Sequence, residues 1–150
     1  MRQYKPKYDY LKYHRVIRYY ILRKYEVKAA DLDLMLFLYS EKYFGKKEFN
    51  HYKEIVSWEK GRFLRLLKEG RIILFREEKG RSRALYCLSE GSKRMITHMY
   101  KLLNGEEISM EYQNNPMFKK DVSYKDKVYK NMIIEMNRKI REERRRRVLG

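Results

Sequence analysis

Apolar residues recur every three or four positions over most of the chain, a spacing that predicts helices. The first helix is predicted over residues 8–25, and its apolar face consists of Tyr10, Tyr13, Ile17, Tyr20 and Ile21. The second is predicted from about Lys28 to Glu41; because its centre is apolar on nearly every face, we expect it to be buried. A short third helix is predicted over about Lys46–Glu54.

The pattern changes in the middle of the chain. Ser57 is a favourable N-cap for a fourth helix, predicted over Ser57–Glu69, and Gly70 suits the left-handed position after its end. Two apolar, β-favouring runs follow, Ile72–Phe75 and Arg83–Leu88, separated by a polar segment that contains a glycine. These features predict a β-hairpin with a charged tip.

Two further helices are predicted in the second half. Ser89 is expected to cap the fifth, which ends at Asn104-Gly105. From Glu106 to about Val122 the periodicity is lost, and the sequence Asn114-Asn115-Pro116 predicts a turn. The last helix is predicted over about Tyr124–Arg144, and its apolar stripe consists of Val128, Met132, Met136 and Ile140.

The predicted fold class is mainly α with a small β-hairpin. A helix, a short connection, a second helix and a hairpin follow one another in the order of a winged helix-turn-helix unit. We interpret the chain as one domain, 1–150, without internal repeats. Its parts are an N-terminal helix (1–27), a winged helix-turn-helix core (28–104), a connection (105–123) and a C-terminal helix with a basic tail (124–150).

Basic residues outnumber acidic ones by a wide margin. The 150 residues include 37 Lys and Arg against 20 Asp and Glu, a formal net charge of +17. Self-repulsion of this size favours a polyanionic partner, of which nucleic acid is the commonest, with an acidic protein or a membrane surface as alternatives. The segment Arg141–Arg147 holds five arginines, and its end, Arg144–Arg147, is expected to be mobile and to contact phosphates.

Other classes of site are not expected. The single cysteine, Cys87, excludes an intramolecular disulfide and a cysteine-rich zinc site, and the three histidines are not at metal-ligand spacing. The sequence contains no phosphate-binding glycine loop and no distinct acid–base pair, so we predict neither an enzyme nor a cofactor. The longest apolar run, Leu34–Tyr39, has six residues, too few to span a membrane, which predicts a soluble protein of the cytoplasm.

The candidate interface lies on the fourth helix and the hairpin. With Phe63 facing the core, the helical rotation places Trp58, Gly61 and Arg65 on the outward side. An outward arginine can bind a guanine edge bidentately or clamp a phosphate, and the cations of the hairpin tip suit phosphates or a minor groove. The predicted DNA-binding residues are Ser57, Trp58, Lys60, Gly61, Arg62, Arg65, Lys68, Lys79, Arg81 and Arg83.

Each of these residues also has a purely structural interpretation. A run of charges is most often a solvated helix face, and an exposed arginine needs no ligand. Trp58 could equally fold under the N-terminus of the fourth helix. The order of the elements, taken together with the net charge, favours DNA binding over this alternative.

From Asp31 to Leu103 the sequence resembles the MarR-type winged-helix regulators. Phe49 occupies the position of the apolar residue in the first helix of the motif, and Phe63–Ile72 resembles the recognition helix followed by the Gly-Leu-Ile step. Leu88-Ser-Glu-Gly91 matches the family's wing exit loosely. The resemblance implies that the fourth helix enters the major groove, that the tip around Arg81 enters the minor groove, and that the first and last helices form a two-fold dimer.

The sequence therefore predicts a homodimeric, nucleoid-associated transcriptional regulator. It would bind double-stranded DNA with a recognition helix (about 57–69) and a basic wing (about 72–88). The alternative is a nucleic-acid-associated structural subunit of a virion or nucleoprotein particle, with the same fold used for docking. The two hypotheses differ in whether affinity depends on base sequence, and a small-molecule effector stays open.

Overall fold

The computed structural model describes residues 2–6 and 9–149, which are mainly helical with one small antiparallel sheet. The predicted fold class, mainly α with a small β-hairpin, is confirmed. In chain order the elements are α1 (Tyr10–Tyr25), α2 (Ala29–Glu41), α3 (Lys46–Lys53), α4 (Arg62–Lys68), β1 (Ile72–Arg76), β2 (Leu85–Leu88), α5 (Glu90–Leu103), a 3₁₀ turn (Pro116–Phe118) and α6 (Tyr124–Leu149).

The chain divides into two compact units. The central unit is Val27–His98, and the terminal unit combines the described residues of Met1–Glu26 and Met99–Gly150. The division falls inside α5, whose N-terminus is capped by the Ser89 hydroxyl, 3.2 Å from the Ser92 amide, as predicted. No helix in the described part of the chain is long and apolar enough to cross a membrane.

In the central unit one face of α2 is buried, as predicted, whereas Phe37 and Tyr39 of its apolar centre are 44 % and 37 % exposed, contrary to the expectation. Four of its side chains are fully buried, namely Leu32, Leu34, Met35 and Leu38. The other helices and the hairpin contribute side chains that are equally inaccessible, namely Phe49, Leu66, Ile72 and Leu88. Because each large apolar side chain contributes about 1.5–3 kcal/mol when fully buried, this core holds the central unit together.

The hairpin follows the predicted position. β1 and β2 are antiparallel, with Ile72 paired to Leu88 and a bulge in the second half of β1. At the opposite edge of β2, Tyr86 exchanges two backbone hydrogen bonds with Phe44, of 2.9 and 2.7 Å. The connection between α2 and α3 is thereby joined to the hairpin.

The fourth helix is shorter than predicted and begins at Arg62. Gly61, at its N-cap, has a left-handed backbone with φ 73°, so the helix cannot continue back toward Ser57. The prediction that Ser57 caps this helix is therefore wrong, and residues 57–61 form an irregular segment that we call the α3–α4 loop. Gly70, after the end of α4, has φ 74° and confirms the predicted left-handed position.

In the terminal unit, Asp126 is a nearly buried carboxylate between α1 and α6. It accepts hydrogen bonds from the Tyr19 hydroxyl and from Nε and Nη2 of Arg23, the latter two at 3.2 and 2.9 Å. Burial alone would raise the pKa of Asp126, but the hydrogen bonds from Arg23 and Tyr19 lower this pKa below its usual value. The pKa of Tyr19 is raised to about 12 by burial and by its bond to Asp126.

We expect Asp126→Asn to lower the free energy of unfolding by about 1–3 kcal/mol at neutral pH, because the amide offers Arg23 no charge. A carboxylate with a lowered folded pKa stabilises the fold above its unfolded pKa, near about 4, and loses this effect as the pH falls through the folded value. The difference between wild type and variant should therefore shrink on acidification below about pH 4. Urea unfolding across this range measures it, and a difference that stays constant would contradict the assignment.

The connection between α5 and α6 is fixed by two asparagines. Asn137 of α6 donates Nδ2 to the Ile108 carbonyl at 2.7 Å and accepts the Ile108 amide at 3.0 Å. Asn115 accepts the Met117 amide at 3.1 Å and so caps the 3₁₀ turn that begins at Pro116. The turn predicted from Asn114-Asn115-Pro116 is confirmed.

The apolar stripe of α6 is partly covered within a single chain. Ile133 and Met136 are at most 3 % exposed, because α1 of the same chain packs against α6. Val128, Met132 and Ile140 are half-buried. Met136 therefore needs no second chain for its burial.

Candidate nucleic-acid interface

Asp31 of α2 is the centre of an ion-pair network that holds α4. Its side chain is 3 % exposed, and its Oδ1 lies 2.8 Å from Nη2 of Arg65 and 3.3 Å from Nε of Arg62. Arg62 is itself buried, and its Nε contacts Asp31 without hydrogen-bond geometry. Two arginines of α4 thus share one carboxylate of α2.

The network continues into the α3–α4 loop and to the end of α4. Glu59 accepts hydrogen bonds from Nε of Arg65 at 2.7 Å and from Nζ of Lys28 at 3.2 Å, and Glu69 accepts one from Nη1 of Arg65 at 3.1 Å. The bond to Asp31 raises the pKa of Arg65, and the bond from Arg65 lowers the pKa of Glu59. We call the six residues the Asp31 network: Lys28, Asp31, Glu59, Arg62, Arg65 and Glu69.

The outward placement predicted for Arg65 is wrong. Its side chain is only 24 % exposed, and its guanidinium binds three carboxylates of the Asp31 network. The exposed face of α4 carries Leu64 and Lys68 instead, so the helix is rotated by about one residue from the predicted orientation. The prediction oriented the helix by Phe63, which is only half-buried.

Arg62, another predicted DNA-binding residue, is not at the surface. It is 5 % exposed and, like Leu66 one turn later, faces the core. A buried guanidinium is stable only beside a compensating charge, which the sequence hides because Asp31 lies on another helix. Arg62 is therefore withdrawn from solvent, and the Arg65 guanidinium is occupied by carboxylates of the protein.

Trp58 is 83 % exposed, so it does not fold under the N-terminus of α4. A packed tryptophan buries about 200 Å² of surface. Because most of this surface stays in water here, the protein forgoes roughly 4 kcal/mol of burial free energy. The other candidates of this segment are exposed as well, namely Ser57, Lys60, Gly61 and Lys68. The α3–α4 loop and α4 therefore present an indole and two lysines to solvent.

The hairpin tip projects cations from a tight turn. Lys79 and Ser82 exchange two backbone hydrogen bonds of 3.0 Å, which leaves Gly80 and Arg81 as the two turn residues. Gly80 has φ 61°, the conformation that such a two-residue turn requires at its first position. Lys79, Arg81 and Arg83 are all exposed, as predicted.

We expect Gly80→Ala to lower the free energy of unfolding by about 1–2 kcal/mol, because an L side chain is strained at this positive φ. Faster hydrogen exchange of the Ser82 amide, measured by NMR, should locate the damage at the tip. Gly91→Ala is the matched control, since Gly91 lies inside α5 without a positive φ, and an added Cβ would sit 3.9 Å from the Ser89 hydroxyl. Equal losses in both variants would show that the tip turn is not the cause.

Comparison with known proteins assigns the chain to no family. No protein-family model matches the chain, and no curated protein matches it. Within residues 2–6 and 9–149, no group of His, Cys, Asp or Glu side chains is arranged to hold a metal ion, and Cys87 is buried. The exposed side chains of the central unit include the lysine of α4, the cations of the hairpin tip, the Trp58 indole and further apolar residues such as Ile55, Leu64 and Phe75.

The basic end of α6 differs from the expected mobile tail. It is helical to Leu149, and Glu107 binds both Arg141 at 2.7 Å and Arg144 at 3.1 Å. The expectation of a mobile Arg144–Arg147 tail is wrong, because these arginines continue α6 and some of them pair with carboxylates of the terminal unit. Whether this end contacts phosphates stays a prediction.

Proposed function

We propose that the central unit is a winged helix-turn-helix domain that binds double-stranded DNA, and that the protein regulates transcription. Its elements follow in the order α2, α3, α4 and hairpin, the order of such units. The pairing of Phe44 with Tyr86 supports this, because it joins the connection between the first two helices to the base of the wing.

In this proposal α4 and the preceding loop face the major groove, and the hairpin tip contacts phosphates or a minor groove beside it. The observation that carries the proposal is an excess of exposed cations on these elements, five against the two exposed carboxylates of the hairpin, Glu77 and Glu78. The Asp31 network neutralises its own arginines and carboxylates. The cations left at the surface of the loop, helix and tip are Lys60, Lys68, Lys79, Arg81 and Arg83.

Arg65 then acts as a positioning residue. By binding Asp31, Glu59 and Glu69 together, it fixes the orientation of α4 and the start of the loop. Base contacts fall to the exposed face around Lys68, which is where a groove would meet the helix. Sequence preference is therefore expected to depend on Arg65 only through the shape that it maintains.

The test is selection of bound sites from a random duplex library, followed by titration of the selected and a scrambled duplex at two salt concentrations. A sequence-specific regulator binds its site about 10³-fold or more tightly than other DNA. We expect a consensus site and a gap of this order. A library that yields no consensus would overturn sequence-specific regulation.

A specific observation also favours the second hypothesis, a structural subunit of a nucleoprotein particle or virion. Arg65, the arginine expected to bind a guanine edge or a phosphate, is bound by three carboxylates of the protein, and lysines, which act as point charges, are the exposed cations of the α4 segment. Such a surface suits phosphates more than base edges. This hypothesis predicts that all duplexes bind with equal affinity. It also predicts that the affinity for each duplex decreases equally steeply as the salt concentration rises.

We also propose a homodimer through the terminal unit. Apolar side chains on α1 and α6 keep exposed surface, notably Leu11 at 86 % and Ile134 at 43 %. A groove of about 760 Å³ in the same unit is lined by Tyr10, Leu103 and Ile140 among other residues, and leaves further apolar surface open. Sedimentation should show a dimer at micromolar concentration, which would set two recognition helices about 34 Å apart. A monomer both alone and on DNA would contradict this.

A further inference from the structure

Trp58 is displayed to solvent rather than packed. It is the only tryptophan of the chain, and 83 % of its surface is accessible. Two large apolar residues close to it in sequence, Ile55 and Leu64, are themselves 62 % and 68 % exposed, whereas Val56 and Phe63 are half-buried. None of Trp58, Ile55 and Leu64 is withdrawn from water, so the indole face is open to a ligand.

The residue after Trp58 fixes the loop in place. Glu59 is bound by Nε of Arg65 at 2.7 Å and by Nζ of Lys28 at 3.2 Å, which ties the loop to α4 and to the start of α2. Arg65 is anchored in turn on the buried Asp31. An unrestrained loop would let the indole collapse onto nearby apolar surface, and the Glu59 bonds oppose that collapse. The loop segment that carries the exposed ring is thus held in place.

The exposed cations of this segment indicate what the ring meets. Lys60 lies two residues further along the loop, and Lys68 is at the end of α4. The carboxylate that follows Trp58 in sequence, Glu59, is already held by two cations. Aromatic faces that stack on bases beside cations that bind phosphates are the combination found in sites for unstacked nucleotides.

We propose that Trp58 stacks on a nucleobase that has left the helical stack, so that the central unit prefers a duplex with an unpaired or easily unstacked base. The inference rests on the proposed function and specifies the DNA that this surface takes. In fully paired DNA the contact falls at pyrimidine–purine steps, which unstack most easily. Stacking explains why the protein tolerates an indole in water here.

The experiment compares one duplex with the same duplex carrying a single bulged base. Trp58 emission, excited at wavelengths where the fifteen tyrosines do not absorb, reports this residue alone. We expect quenching when DNA binds, and tighter binding of the bulged duplex. Trp58→Ala should bind the bulged duplex roughly 5- to 150-fold more weakly, which is the contribution of one stacked base. Trp58→Phe should retain most of the preference, because a phenyl ring still stacks.

Two further variants separate stacking from general effects. Tyr112→Ala removes an exposed aromatic side chain from the terminal unit and should leave the preference unchanged. Glu59→Gln keeps the indole but weakens its brace. We expect it to reduce the ratio of bulged-duplex affinity to paired-duplex affinity. Because the loss of a negative charge affects both duplexes alike, it does not change this ratio. Thermal unfolding of each variant confirms that the fold is intact.

The outcomes distinguish this inference from the proposed function. If wild type binds duplexes in a salt-dependent way, but Trp58→Ala binds both equally well and Trp58 emission does not change, stacking is overturned and DNA binding remains. If wild type binds no duplex at any salt concentration, both are overturned. Quenching together with a reduced preference confined to the Trp58 and Glu59 variants supports stacking.

Discussion

Asp31→Ala should lower the free energy of unfolding by about 3–5 kcal/mol, a large part of the total stability of a domain of this size. Asp31 compensates the guanidinium of Arg62, which is 5 % exposed and has its Nε 3.3 Å from the carboxylate. Without Asp31, Arg62 becomes a buried charge with its counter-ion removed, whereas Arg65 keeps Glu59 and Glu69. Urea unfolding followed by circular dichroism measures the decrease.

Two companion variants test the cause. Arg62→Met removes the buried charge and keeps most of the side-chain volume, so it should cost far less than Asp31→Ala. Lys28→Ala removes an exposed member of the Asp31 network, with 66 % of its side chain accessible, and should cost at most about 1 kcal/mol. If Arg62→Met is as damaging as Asp31→Ala, the packing of the site rather than its uncompensated charge is responsible.

The helices and the hairpin could be predicted because their signals are local. The continuous apolar centre of α2 requires burial wherever it packs, and Leu34 and Leu38 are indeed fully buried. Gly70 and Gly80 are at positions where the backbone must turn with positive φ. Their places in the sequence therefore indicate the end of α4 and the tip of the hairpin. None of these inferences needs knowledge of a distant contact.

The orientation of α4 could not be predicted because it depends on a partner in another helix. Arg62 and Arg65 look like surface cations in the sequence, and the buried carboxylate that holds them, Asp31, is some thirty residues away. The same holds for the end of α6, where Glu107 pairs with Arg141 and Arg144. Long-range pairing converts apparently solvated charges into structural ones, and no periodicity reveals it.

The start of α4 shows how a conformational signal can outweigh a capping signal. Ser57 followed by Glu59 is a favourable beginning for a helix, but Gly61 adopts a left-handed backbone that interrupts it. Glu59 then serves the ion-pair network instead of a first helical turn. The exposure of Trp58 follows from this irregular loop and was one of two alternatives that the sequence left open.

The second large effect concerns DNA binding by the hairpin tip. Replacing Lys79, Arg81 and Arg83 together by alanine should weaken binding to every duplex. The slope of log affinity against log salt should fall by up to about 2.7, or about 0.9 for each phosphate that the variant no longer neutralises. The fold should be unaffected, because the tip is closed by backbone bonds between Lys79 and Ser82, and Arg76 bonds to the backbone carbonyl of Arg83. Titrations at several salt concentrations give the slope.

The matched control removes the same charge from exposed lysines of the terminal unit, Lys119, Lys120 and Lys127. If only the tip variant shows weaker binding and a smaller slope, the tip cations are the phosphate contacts that the winged-helix proposal requires. Equal decreases in both variants would mean that binding follows the net charge of +17 wherever it lies, as expected for a packaging subunit. An unchanged slope in the tip variant would remove the hairpin from the interface. The contacts of α4 and Trp58 would then have to account for all the affinity.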